Sequence, residues 1–273
     1  MPYPKAYIYV LALIPVTILG FWPSYFSDIG SGETAFHAHG LSATLWILLL
    51  AAQSWSIHNK HFAWHRQLGT FSLALFPVFI AGFFMVFQTL SRKTLEGHNP
   101  FVEIIGVGIG STTAIAIITT GYLYYAGLKN RKNVQLHARY LLAIPFLFSE
   151  SVFGRVFNNF VPGLTVNGIE DVARIYWAFH LSELLAIAIA MFLYLRERRY
   201  GRPFLIVSIA MVLQSVALEW MGQVYWWQEI FFAVANIPLV TTISAGIIVG
   251  ALISWMGWSA PQPPKVRRVA EEQ

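Results

Sequence analysis

Eight apolar stretches follow one another along the chain, at residues 7–26, 36–57, 67–90, 101–127, 136–158, 172–195, 203–221 and 231–256. Each approaches or exceeds the roughly 20 residues that a helix needs to cross the hydrocarbon core of a bilayer. Backbone groups in lipid must be paired within the segment, and barrel strands would be about half as long and alternating, so the pattern predicts helices. The expected fold is all-α: a polytopic bundle of eight transmembrane helices joined by short loops.

Composition agrees with this pattern. A chain that is 56% hydrophobic and 11% charged has too little polar surface to clothe a soluble globule. Charge then orients the bundle. Lys5, Lys60, Arg66, Lys129, Arg131, Lys132, Arg139, Arg196, Arg198, Arg199, Arg202, Lys265, Arg267 and Arg268 are fourteen of the eighteen basic residues. All fall on one side if eight spans alternate. By the positive-inside rule that side is cytoplasmic, with both termini inside. The opposite loops carry Asp28, Glu33, Glu96, Glu170, Asp171 and Glu229 with only Arg92 and Lys93. The net charge of +5 is therefore topological, and no nucleic-acid partner is expected.

Pro15, Trp22 and Pro23 interrupt the first stretch, which reads as an anchor rather than a cleaved signal. Residues 1–258 form one transmembrane domain, and 259–273, with a Pro-Gln-Pro-Pro run, read as a disordered cytoplasmic tail. The absence of cysteine excludes disulfides, thiolate metal sites and Cys-x-x-Cys-His haem attachment, leaving imidazole and carboxylate as ligands. Trp and Tyr near the span ends form an interfacial belt. Gly106-xxx-Gly110 and Gly246-xxx-Gly250 read as close helix packing rather than a nucleotide loop, since no strand precedes them.

The informative residues are those a membrane discourages. An ionisable side chain near the bilayer centre costs on the order of 3 kcal/mol on insertion scales and marks a functional candidate. Glu150 falls near the middle of the fifth span, with Arg155 five residues further out. In the antiparallel sixth span His180 and Glu183 share a face, and Glu183 should lie level with Glu150. Glu150, Arg155, His180 and Glu183 are thus expected to form a self-neutralising cluster, with Glu150, Glu183 and Arg155 as catalytic or proton-handling candidates, or else a lock between two helices. His39, Trp46 and Gln53 recur every seven residues on one face of the second span. On the cytoplasmic side lie His58, His61, His65 and His137. His61-xxx-His65 suits a metal, but too few histidines can meet there for the eight-histidine di-iron site of membrane hydroxylases and desaturases.

Histidines near both faces resemble the arrangement of cytochrome b561-type proteins, which stack two haems across the membrane, each held by histidines of two facing helices. That resemblance implies haem b, with His65 and His137 as one axial pair and His39 and His180 as the other, and a quinone or similar electron partner. The run His37-Ala-His-Gly, Thr44-x-Trp, Gln53 and His65-Arg-Gln-Leu-Gly also resembles a group of uncharacterised bacterial multi-pass membrane proteins, which implies a bacterial inner membrane and brings no established activity with it. Three functions are open: a haem- or quinone-linked redox protein, a proton-coupled transporter or sensor of a small solute, and an intramembrane metallohydrolase. The last would use His39, His180 and Glu183 as metal ligands and Glu150 as general base.

Overall fold

The computed structural model describes residues 2–261, and no strand occurs among them. Ten α-helices run Ala6–Phe21 (α1), Thr34–His58 (α2), Phe62–Glu96 (α3), Pro100–Lys129 (α4), Val134–Ala143 (α5), Ser149–Phe160 (α6), Val172–Arg196 (α7), Arg202–Trp220 (α8), Tyr225–Ala235 (α9) and Leu239–Ser259 (α10). Nearly all of the proposed tail, with Lys265, Arg267 and Arg268, lies outside the described residues.

Seven helical segments among the described residues are long and apolar enough to cross a membrane, counting α5, its 3₁₀ continuation and α6 as one. The first stretch falls short. At 16 residues α1 is about 24 Å long, less than the roughly 30 Å hydrocarbon core. It ends at Phe21 because Pro23 cannot donate into the helix ladder, and the chain turns into a 3₁₀ segment at Phe26–Ser31. The last stretch is likewise divided. Asn236 ends α9, and Pro238 stands as N-cap of α10 instead of inside it, so the final span is Leu239–Ser259. Carbonyls freed at this break are answered from α3, where the Gln88 amide donates to the oxygens of Val234 and Ile237 and Ser91 Oγ to that of Phe231.

The helices pack in an order that fixes what can meet. α3 is central, lying along α2, α4, α9 and α10. α4 packs on α8, α8 on α7, α7 on α6, and α1 fills the gap between α6 and α2. Small residues permit the closest approaches. A Cβ at Gly246 or Gly250 would fall 2.5 Å from the Ala81 or Pro77 backbone of α3, and one at Gly108 would fall 2.5 Å from the Leu218 carbonyl of α8. Gly106-xxx-Gly110 and Gly246-xxx-Gly250 thus act as contact surfaces.

Trp46, Phe76, Phe79, Ile80, Leu123, Tyr124, Ile144, Phe204, Val207 and Met211 are almost wholly buried between the helices. Large apolar side chains also cover the outside, among them Ile118, Leu184, Phe192 and Val240. A soluble protein would not present so broad an apolar exterior; a lipid-facing one must. Trp22, Trp64, Trp220, Tyr225, Trp226, Trp255 and Trp258 stand exposed at or near helix ends, where the interfacial belt belongs. The chain has the architecture of a multi-pass membrane protein.

Candidate functional site

Two polar regions lie within the bundle. The first is a cavity of about 390 Å³ bounded by α2, α3, α4 and α5, with Trp258 of α10 at its edge. His65 and His137 both line it. Each sits in the first turn of its helix, so both belong to the end of the bundle that carries the basic loops. The α2–α3 connection is only Asn59, Lys60 and His61, and it closes with Lys60 at a φ of 62°, a left-handed conformation uncommon for a residue with a Cβ. The start of α5 is set by Asn133, whose side chain accepts from the Leu136 N–H at 3.3 Å.

The hydrogen bonds of the two rings define their chemistry. His137 Nδ1 lies 2.8 Å from the Gly127 carbonyl oxygen, and His65 Nδ1 lies 3.3 Å from that of Gln53. A carbonyl only accepts, so Nδ1 carries the proton in both, and each neutral ring keeps its lone pair on Nε2. The two rings are near enough to interact electrostatically. Around them the wall is mostly apolar, with Trp46, Leu49, Leu50, Leu128 and Leu141, and it carries two cations, Arg66 and Arg131. Arg131 is held by Trp258, whose ring centre lies 4.8 Å from the guanidinium carbon. Trp46 Nε1 and Gln53 Oε1, both on this wall, are buried without a hydrogen-bond partner among the described residues.

The second region lies among α4, α6, α7 and α8. Gly154 of α6 sits so close to α7 that a Cβ there would meet the Phe179 ring at 2.4 Å. This antiparallel register brings Glu150, four residues back, level with Glu183, four residues on. Both carboxyls are buried and near enough to interact through space. Glu150 accepts from Thr112 Oγ1 at 3.0 Å and from the Gln214 amide at 3.5 Å, and that amide also reaches the Thr112 carbonyl at 3.2 Å. Glu183 Oε2 accepts from Ser215 Oγ, and its Oε1 has no hydrogen-bond partner among the described residues. His180 bridges outward, with Nδ1 3.2 Å from Ser215 Oγ and Nε2 2.6 Å from Glu219 Oε1.

Arg155 makes no direct bond within this cluster and reaches Glu150 only through space. Its guanidinium lies over the Phe21 ring of α1 at 4.3 Å and donates to the Ser151 carbonyl at 2.9 Å, with no ion pair to Glu150 or Glu183 within 4 Å. The reason is local. Glu150 and Arg155 lie five residues apart on the same helix, α6, which at 3.6 residues per turn puts their side chains about 140° apart around its axis. Gln214, Ser215 and Glu219 of α8, by contrast, belong to the site. Part of their signal was available in the sequence, since Gln214 and Ser215 stand adjacent within an apolar stretch whose other polar residues are Ser208 and, near its end, Glu219.

His39 is separate from both regions. Its ring stacks against Phe79 at 6.1 Å and tilts on Phe83 at 4.4 Å, and its Nδ1 is buried without a hydrogen-bond partner among the described residues. α2 packs along α1 and α3, whereas α7 packs along α6 and α8, so His39 and His180 sit on helices that do not lie along one another. His37 bonds Tyr25 at 2.5 Å near the start of α2. Among the described residues no three His, Asp or Glu side chains converge as a metal site would require. Of the two expected histidine pairs, the fold brings His65 and His137 to one cavity and leaves His39 apart from His180. No known protein family, curated protein or solved structure matches this chain.

Proposed function

We propose that the chain is a membrane redox protein that holds a b-type haem between His65 and His137. One observation carries this reading: both rings open on the same cavity, and both have committed Nδ1 to a backbone carbonyl, leaving Nε2 as the ligating atom. Anchoring of this kind fixes the orientation of each ring, so that both would be preset to hold the group. The donor set fits the group, with two neutral imidazoles, an apolar wall, and Arg66 and Arg131 to meet carboxylates. Bound there, haem would supply one-electron transfer. His65 and His137 would bind and orient it, Leu49, Leu50, Leu128 and Leu141 would exclude water, and the arginines would hold its charged edge. A quinone is the electron partner suited to a site enclosed by the bilayer.

The topology belongs to the same proposal. Counting α1 as a shortened eighth crossing places Lys60, Arg66, Lys129, Arg131, Lys132 and the Arg196–Arg202 group on one side, which the positive-inside rule makes cytoplasmic, with both termini there. The membrane is then a bacterial inner membrane.

The test is the visible spectrum of His65→Ala and His137→Ala, purified in mild detergent after expression with haem available. Each substitution is expected to abolish the paired-imidazole haem signal while the protein still inserts and purifies. Retention of the full signal in both variants would overturn the assignment.

A further inference from the structure

The groups on α7 and α8 form a graded series that haem binding at His65 and His137 does not employ. Side-chain exposure rises from 1% at Glu183 to 27% at His180 and 46% at Glu219. Ser215 links the first two members, and the last lies one residue before the end of α8, remote from the Arg196–Arg202 loop. We propose that Glu183 is a proton-binding site and that Ser215, His180 and Glu219 connect it to the membrane face at which α8 ends.

Two independent features support this. Glu183 is buried with one carboxyl oxygen bonded to Ser215 and the other without a hydrogen-bond partner among the described residues. An anion so poorly compensated in an apolar interior is costly, and a proton on the carboxyl removes that cost. Every link also joins atoms that can both give and take a proton. A proton passed from the Glu219 carboxyl to His180 Nε2 allows Nδ1–H to transfer its own to Ser215 Oγ, as the Ser215 hydroxyl delivers its hydrogen to Glu183 Oε2. One proton leaves Glu219, one reaches Glu183, and the intermediate groups return to their original charge.

The charged neighbours leave this path intact. Glu150 of α6 is the nearest other acid and is held by Thr112 and Gln214. Arg155 is turned to Phe21, Arg174 pairs with Asp171 at 3.1 Å, and Tyr176 lies beside Glu219. Among the described residues no Lys or Arg pairs with Glu183, and the one imidazole within 4 Å, His180 with Nδ1 3.9 Å from Glu183 Oε2, is itself a member of the path, so the protonation of Glu183 is governed by the path. The inference does not depend on haem, because it involves no residue of the inner cavity.

The experiment is infrared spectroscopy of the full chain in liposomes, following hydrogen–deuterium exchange of the carboxylic C=O band that Glu183→Gln removes. Ser215→Ala is expected to slow exchange of that band by about tenfold or more, since it deletes one transfer step. Ser215→Thr, which keeps the hydroxyl, is expected to restore the fast rate, and His180→Leu to slow it again. Equal rates in wild type, Ser215→Ala and His180→Leu would overturn the path, as would equal slowing by Ser215→Ala and Ser215→Thr. If Glu183→Gln removes no protonated-carboxyl band at any pH between about 5 and 9, Glu183 is not the proton site.

Discussion

The inner cavity and the α7–α8 series use histidine in opposite ways. At the cavity, His65 and His137 each commit Nδ1 to a backbone carbonyl and line the same open space, with no hydrogen bond from Nε2 among the described residues. On α7, His180 has both nitrogens engaged by side chains that can themselves exchange protons. The first arrangement is rigid and leaves a lone pair for a ligand. The second leaves no free position but a continuous line of donors and acceptors. An imidazole in a membrane protein thus declares its use less by depth than by what its second nitrogen touches.

The largest effect should separate the two regions outright. His65→Ala is expected to eliminate the visible haem spectrum, and His180→Leu to leave it at full intensity; loss of colour in both would erase the distinction. Trp46→Ala comes next. Trp46 is 1% exposed, stacks on Phe79 at 5.4 Å and forms part of the cavity wall, so its truncation should cost about 3–5 kcal/mol. Thermal unfolding in detergent measures this, while proton exchange at Glu183 in the surviving folded protein should be unaltered. Gln214→Leu removes one of the two donors to Glu150 and should cost about 1–3 kcal/mol. Its infrared effect should be confined to the Glu150 carboxyl, with the visible spectrum unchanged. The smallest effect is expected at Arg155. Arg155→Gln loses the contact with Phe21, worth about 0.5–1 kcal/mol, and should alter neither readout. A change in Glu183 exchange would return Arg155 to the cluster.

These contrasts also show where sequence reasoning reaches. The helical class followed from run length, and the level placement of Glu150 and Glu183 followed from two antiparallel neighbours, as Gly154 against Phe179 bears out. The joint location of His65 and His137 was legible because both open helices that start on the same side. Arg155 was expected to pair directly with the acids, but five residues along α6 turn it about 140° from Glu150, so it acts on Glu150 only through space while its guanidinium rests on Phe21. The pairing of His39 with His180 needed knowledge of which helices pack together, and that depends on surfaces such as Gly246 against Ala81, which no single stretch reveals. Glu219 sits near a helix end, where an acid is unremarkable until His180 is found 2.6 Å away.

The central claim is that the inner cavity is a haem site, and the most direct measurement is the reduced-minus-oxidised visible spectrum of the purified wild-type protein together with its iron content. The account predicts sharp α and Soret bands with one iron per chain, as one paired-histidine site requires. A colourless, iron-free protein from cells supplied with haem would contradict it and leave the α7–α8 series as the functional centre of the molecule.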